Sequence, residues 1–302
     1  MIVRPWAAPG RFYKGNLHAH STLSDGQFPI DDVVAGYRQQ GYDFLSMTEH
    51  NFIADTRSYR DESFTTLLGT ELNSPITRGK PHRFINAIGL PLDFPLDLKR
   101  DVPDETRELL PDVARRAREA GAWVTIACPA WCGTTTDAVI AIEAAHAVET
   151  FSQTCALSND RGLSWHLVDE AAERGVRLMG MAVDDSHATR DKYAAWAEVK
   201  AERLDPDALL DALKAGNYYH TQGPKIHDLR IDGATLSIEC SPVEEVILSG
   251  LSWRGGGTHG MAITSASIPL THFDTGYVRV TIVDRAGKRA WTNPIWLDSL
   301  GN

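Results

Sequence analysis

Asn16-Leu17-His18-Ala19-His20-Ser21-Thr22-Leu23-Ser24-Asp25-Gly26 is the stretch on which the reading of the chain turns. The segment Phe12–His20 has the composition of a strand, and Ser24-Asp25-Gly26 makes a loop after it. Side chains two residues apart in a strand lie on one face, so His18 and His20 point the same way. Two imidazoles placed in this manner can grip one metal ion. The strand therefore delivers ligands at its C-terminal end, with Asp25 close behind.

The same pattern recurs further along. His50 ends the strand candidate Phe44–Glu49, Glu71 closes Thr65–Leu72, and His82 opens the segment that leads into Phe84–Gly89. Asp185 and His187 follow Arg177–Val183 and repeat the two-residue spacing. Trp123–Cys128 and Ala147–Phe151 are further strand candidates. Helical stretches lie between several of them, at Ile30–Gln40, Asp104–Ala120, Thr134–Ala145, Arg161–Arg174 and Pro206–Ala215. Gly41, Gly121, Gly175 and Gly216 stop four of these in the manner of C-caps. Repeated β-then-α units predict an α/β fold with a mainly parallel sheet, and about seven of them suggest a barrel. Polar residues gathered at the C-terminal strand ends are where such barrels build their sites.

After Gly223-Pro224 the grammar changes. Ile226–Ile238, Val243–Leu248, Met261–Ile268, Gly276–Val283 and Ala290–Leu297 read as strands, with turns at Asp232-Gly233 and Ala286-Gly287. Tyr277 to Val283 alternates with the period of a half-buried strand. The expectation is a barrel over residues 1–223 and a small β-sandwich domain over 224–302.

Composition narrows the function. The chain has 302 residues, 43% hydrophobic and 23% charged, an ordinary globular balance. Its formal net charge of −10 lies almost wholly before residue 224. That disfavours an extended nucleic-acid or anionic-membrane footprint, which needs a basic stripe; a small-molecule substrate or a cluster of cations fits better. The stretch Ala120 to Cys132 is interrupted by Gly121 and Pro129 and is too short to span a bilayer. The N-terminal MIVRPWAAPGRFYKG has no apolar signal core, so a cytoplasmic location is expected. Four Cys without paired spacing make no disulfide framework, and the C-x-x-x-C spacing of Cys128 and Cys132 is not a redox motif.

Taken together, the motifs resemble the PHP (polymerase and histidinol phosphatase) metallohydrolases. The matching segments are NLHAHSTLSDG (16–26), SMTEHN (46–51), GTELN (69–73), PHRFINAIGL (81–90), ACPA (127–130), AVETFS (147–152) and DDSH (184–187), in the family's order. The resemblance implies a distorted (β/α)7 barrel with two or three divalent ions at its C-terminal mouth, zinc foremost, with manganese or iron open. It also implies that His18, His20, Glu71 and Asp185 hold one ion and that Asp25, His50 and His187 hold another. Glu71 would bridge to a third with His82. The chain departs from the family at Cys128, where many members have His before Pro. A thiolate there favours a soft-tolerant ion such as zinc, while a buried, inert Cys is the other reading. A closer resemblance, on looser patterns, is to the branch that includes carbaryl-type carbamate hydrolases: it rests on the opening NLHAHSTLSDG with GYDFLSMTEHN, on ALKAGNYYHTQGP (212–224) and on the β-rich tail ending AWTNPIWL (290–297).

The expected activity is that of a metal-dependent hydrolase with metal-activated water as nucleophile, and Asp185 or His187 passing a proton to the leaving group. A phosphate mono- or diester is the leading substrate class. A carbamate, ester or amide is the alternative, and a metal-stabilised binding module with no catalysis is a third. Glu49 is read either as orienting a ligand histidine or as a simple solvated acid, and Glu149 as an acid behind the ligands or a barrel-core partner. Arg190 and Lys192 are candidates for meeting an anionic substrate. His146 and His166 are read as structural, and His220, His227, His259 and His272 as surface residues. For the β-domain, shielding the mouth or forming an oligomer contact are the roles in view.

Overall fold

The computed structural model describes residues 3–73, 83–96 and 108–299. Strand β1 (Arg11–Asn16) lies parallel to β2 (Phe44–Met47), which lies parallel to β3 (Thr65–Asn73). Gly15 is required where β1 meets β2, because a Cβ there would overlap the Phe44 ring. Strand β4 (Phe84–Ile88) runs antiparallel to β3 and to β5 (Trp123–Ala127). Parallel pairing then resumes from β5 to β6 (Ala147–Ser152) and to β7 (Met179–Val183).

The first and last of these strands are tied beyond their ends. Ala19 and Ser186 form a parallel bridge, and the His20 N–H donates to the Ser186 carbonyl at 2.9 Å. One apolar cluster takes Tyr13, Phe44, Leu67, Ile88, Trp123, Ala147 and Met181, one residue from each of β1 to β7. These strands therefore share a core.

The mixed α/β architecture is as expected from the sequence, but the mainly parallel order of strands is interrupted. The reversed β4 breaks the parallel order, and no α-helix joins β2 to β3. The intervening segment is rich in Asp, Ser and Asn, which favour turns over helix, and it forms a single 3-10 turn at Arg57–Tyr59. Helix α1 (Ile30–Gln39) matches expectation: Asp31 and Asp32 sit in its first turn, Arg38 in its last, and Val33, Val34 and Tyr37 face inward. Helices α2 (Leu110–Glu119) and α3 (Thr136–Ile140) are shorter than read. The start of the expected Asp104–Ala120 helix falls outside the described residues.

Between β6 and β7 the chain makes two helices, α4 (Gln153–Asn159) and α5 (Trp165–Glu173), where one was expected. The Ser152 hydroxyl caps α4 by accepting from the Cys155 N–H. Helix α6 (Pro206–Lys214) starts at Asp205, whose carboxylate accepts from the N–H groups of Asp207 and Ala208.

Two strands were not read from the sequence. Strand β8 (Trp196–Ala201) pairs antiparallel with β1, and β9 (Tyr218–Thr221) pairs with β8. The Ala, Glu and Lys of β8 are weak strand formers, so packing against β1 decides its conformation.

After Gly223 come β10 (Ile226–Asp232), β11 (Thr235–Gly250), β12 (Gly255–Pro269), β13 (Tyr277–Val283), β14 (Arg289–Thr292) and β15 (Ile295–Trp296). They surround a second core containing Leu229, Leu236, Val246, Val280 and Ile282. The expected strand Ile226–Ile238 is split at Gly233, where φ is +55°. Strand β14 pairs with β9, so one hydrogen-bonded sheet of fifteen strands runs through the described chain, thirteen of them on a single path with β12 and β15 branching from it. No helix among the described residues is long and apolar enough to cross a membrane.

Candidate metal centre

The polar residues lie where the strands end. His18 and His20 follow β1, His50 follows β2, Glu71 is near the end of β3, and Cys128 follows β5. Glu149 is within β6, while Asp184, Asp185 and His187 follow β7. Asn16 staples the first and last ends together. Its amide donates to the His18 carbonyl at 2.8 Å, and its carbonyl oxygen accepts from the Asp184 N–H at 3.1 Å. The buried Asp184 carboxylate accepts from Tyr37 and from the backbone N–H groups of Tyr193, Ala194 and Ala195. Burial outweighs these bonds and raises its pKa to about 6. Asp184 thus anchors the loop that carries Asp185 and His187.

The ligand-type atoms converge. The Nε2 atoms of His18 and His20, both fully buried, are 3.1 Å apart. Glu71 Oε2 lies 3.5 Å from each, and Asp185 Oδ1 lies 3.2 Å from the first and 3.6 Å from the second. Two imidazole nitrogens facing each other and two carboxylate oxygens are acceptors around a shared point, the arrangement of ligands about a cation. No Lys or Arg among the described residues contacts these atoms. The donor set therefore fits divalent metal.

A second group stands beside the first. Asp25 reaches His50 Nε2 at 3.3 Å, His187 Nε2 at 3.4 Å and His20 Nδ1 at 3.5 Å. One atom from each of His20, Asp25, His50 and His187 can be chosen so that all lie within 4.8 Å of one another. His50 Nδ1 turns to Glu71 Oε2 at 3.2 Å. Both His20 and Glu71 therefore face both groups, so the two ligand sets implied by the resemblance are interlocked rather than separate.

Electrostatics without a cation reflect this crowding. Burial opposes charge on His187, but its bond to Asp25 and the charge of Asp185 raise its pKa to about 9. Burial likewise opposes charge on His18, and the carboxylates of Asp185, Glu149 and Glu71 overcome it. His20 goes the other way, because burial dominates. Asp25 and Asp185 are held well below the ordinary carboxylate range by the imidazoles, against the effect of burial.

Around the ligands, Glu149 Oε1 meets His18 Nδ1 at 2.8 Å and accepts from the Asn86 amide at 2.8 Å. Glu49 does not reach a histidine directly. It binds the Ser21 and Ser24 hydroxyls, and Ser24 Oγ lies 3.3 Å from His20 Nδ1. Cys128 Sγ is 3.0 Å from Asp185 Oδ2. His82 lies outside the described residues.

Several late or outlying residues resolve differently. His227, His259 and His272 are exposed, as expected, whereas His166, read as structural, is exposed on α5. His220, expected at the surface, is fully buried and stacked between Trp165 and Trp291. It lies on β9, a strand the sequence reading missed, which is why its position was misjudged. His146 accepts from the Val124 N–H through Nδ1, a structural role.

The centre forms the floor of a cavity of about 700 Å³. Asp25, His50, Glu71, Cys128, Asp185 and His187 line it, with Phe84, Trp131, Cys155 and Arg190 above and beside them. Lys192 is not among its lining; its ammonium sits over the Phe28 ring. Cys155, on α4, drew no attention in the sequence because it stands in no ligand-spaced motif.

No protein-family model and no curated protein matches the chain. Among solved structures it is similar to a two-domain protein from Bacteroides vulgatus described as containing a PHP-like metal-dependent phosphoesterase. That likeness has a TM-score of 0.51 and 14% identity, covering 91% of this chain and 93% of that one. Weaker likenesses are to an amidohydrolase from Chromobacterium violaceum and to a Bifidobacterium adolescentis protein described as a metal-dependent phosphoesterase. The first has a TM-score of 0.45 and 15% identity over 58% of this chain and 88% of that one. The second has a TM-score of 0.41 and 15% identity over 67% and 94%. At such identities the likeness is one of fold. The chain shares the fold of the two-domain PHP-like protein, in agreement with the family resemblance carried by its own motifs.

Proposed function

We propose that the chain is a metal-dependent hydrolase of small molecules, with residues 1–223 as the catalytic domain and 224–302 as a smaller β-domain. The observation that carries this reading is the interlocked cluster of His18, His20, Asp25, His50, Glu71, Asp185 and His187, of which all but the two buried histidines His18 and His20 line a cavity large enough for a substrate. His18, His20, Glu71 and Asp185 would hold one divalent ion, and Asp25, His50 and His187 a second. Zinc leads, with manganese or iron as alternatives. When bound, such ions make water nucleophilic at neutral pH and absorb the charge that develops on the substrate oxygen.

The chain's own residues supply the rest. Glu149 fixes the tautomer and orientation of His18. Phe84 and Trp131 offer apolar surface to the leaving group. Asp185 or His187, once released from coordination, would pass a proton to the departing oxygen.

A phosphate mono- or diester is the proposed substrate. Arg190 supports it, since this exposed guanidinium lines the cavity and no described hydrogen bond or ion pair engages its side chain. A carbamate, ester or amide is the second reading. It is favoured by the remainder of the described lining, which holds no other Lys or Arg.

A panel of p-nitrophenyl phosphate, bis-p-nitrophenyl phosphate and an aryl methylcarbamate, assayed with added zinc or manganese, tests both. Turnover of a phosphoester above the carbamate upholds the first reading, and the reverse ranking upholds the second. Replacing His20 or His50 with Ala separates either from a metal that only holds the fold. An enzyme loses turnover with little loss of melting temperature, whereas equal loss of folding in both variants points to a structural ion.

A further inference from the structure

Asp185 has two faces. Its Oδ1 looks at the paired Nε2 atoms of His18 and His20, at 3.2 and 3.6 Å. Its Oδ2 looks at sulfur: Cys128 Sγ at 3.0 Å and Cys155 Sγ at 3.9 Å, with the Ser152 hydroxyl at 3.3 Å. The ligand atoms of Cys128, Cys155 and Asp185 all lie within 4.8 Å of one another, and all three residues are buried. We infer that Cys128, Cys155 and Asp185 form a sulfur-lined site for a thiophilic divalent cation such as zinc, beside the histidine cluster and sharing Asp185 with it.

The separations suit such an ion. A tetrahedral zinc ion with sulfur at about 2.3 Å and oxygen at about 2.0 Å sets sulfur and oxygen about 3.5 Å apart. The two observed sulfur–oxygen distances bracket that value. Glu149 Oε2 stands 3.7 Å from Cys128 Sγ and accepts the Cys128 N–H at 2.9 Å, which fixes that cysteine at the site. All three ligand residues line the cavity, so an ion has a path in from solvent.

Charge points the same way. Asp25, Glu71, Glu149 and Asp185 together balance two divalent ions held by neutral imidazoles. Two thiolates balance one more. On binding, each thiol gives its proton to solvent as its sulfur takes the metal. In the metal-free chain the same thiols donate to Asp185 Oδ2.

The inference rests on the metal-centre reading above, and cobalt substitution tells the two apart. Metal-stripped, reduced full-length protein is titrated with Co(II), reading thiolate-to-cobalt charge-transfer absorption in the near ultraviolet and cobalt bound per chain. The wild type should show the charge-transfer band. Cys155→Ser and Cys155→Ala should each lose about half of it while the histidine-bound cobalt remains. Cys132→Ser should leave it unchanged. A band identical in both Cys155 variants overturns the inference. So does full cobalt loading with no charge-transfer band, which leaves the thiols as hydrogen-bond donors to Asp185 and the histidine centre intact. Failure to bind cobalt at all overturns the metal centre itself.

Discussion

Glu149 holds His18 from behind: one carboxylate oxygen lies 2.8 Å from His18 Nδ1, and the other accepts the Cys128 N–H at 2.9 Å. A single acid on β6 thereby fixes a residue after β1 and a residue after β5. In Glu149→Gln, the amide group that turns its oxygen to His18 must point its NH₂ at the Cys128 N–H, donor against donor. Metal affinity should fall roughly 10- to 100-fold. Competition against a chromogenic chelator measures it, and an unchanged dissociation constant would show that His18 needs no such support.

The metal-free protein should report the Asp25 pair through pH. His187 has a folded pKa of about 9 against an ordinary 6.5, so its contribution is full below 6.5 and is lost as pH rises through 9. Asp25 is lowered from 3.8, so its contribution is present above that value and is lost on acidification. The stability gap between wild type and Asp25→Asn should therefore be widest between about pH 4 and 6.5 and close near pH 9 and above. Urea unfolding in the presence of chelator at several pH values gives the gap directly. A gap that is constant across this range contradicts the pairing.

His220 makes a prediction of opposite sign. Burial, with the nearby charge of Arg279, lowers its pKa to about 3, and its Nδ1 has no hydrogen-bond partner among the described residues. The unfolded chain takes up a proton below pH 6.5 that the folded chain refuses, so this residue costs stability on acidification. His220→Phe keeps the stack with Trp165 and Trp291 and removes the cost. Relative to wild type it should gain about 2 kcal/mol more at pH 5 than at pH 8. Equal gains at both pH values would mean that His220 is not buried neutral.

Arg190→Ala tests substrate charge. Loss of a guanidinium contact to a phosphoryl oxygen should raise KM for p-nitrophenyl phosphate about tenfold with little change in kcat, since a charge-assisted bond is worth about 1.5–3 kcal/mol. KM for an aryl methylcarbamate should not move. Steady-state kinetics on both substrates decide, and an unaltered phosphate KM removes Arg190 from the binding site.

Most of the centre was legible because its ligands sit on local patterns. His18-x-His20 and Asp185-x-His187 each lie on one short segment, and Glu71 stands near the end of a strand legible in the sequence. What escaped depends on contacts across long stretches of chain. Cys155 reaches Asp185 only because α4 folds back over β6, and nothing in the segment Gln153–Asn159 announces a ligand. The reversal of β4 depends on its partners β3 and β5, since a strand's alternation is the same in either direction. Strand β8 was hidden by helix-favouring residues that its neighbours override.

The pairing of β14 with β9 governs where the polypeptide tolerates being cut. Stopping it at Gly223 would leave one edge of Tyr218–Thr221 bare and strip Trp291 from the His220 ring. It would also remove Asn293, which takes the Gly180 N–H at 3.0 Å and donates to the Tyr218 carbonyl at 3.2 Å. A bare strand edge recruits other chains. The shortened protein would therefore aggregate instead of surviving as a folded unit, and the intact one would melt in a single calorimetric transition, its histidine-bearing half and its β-rich half failing together.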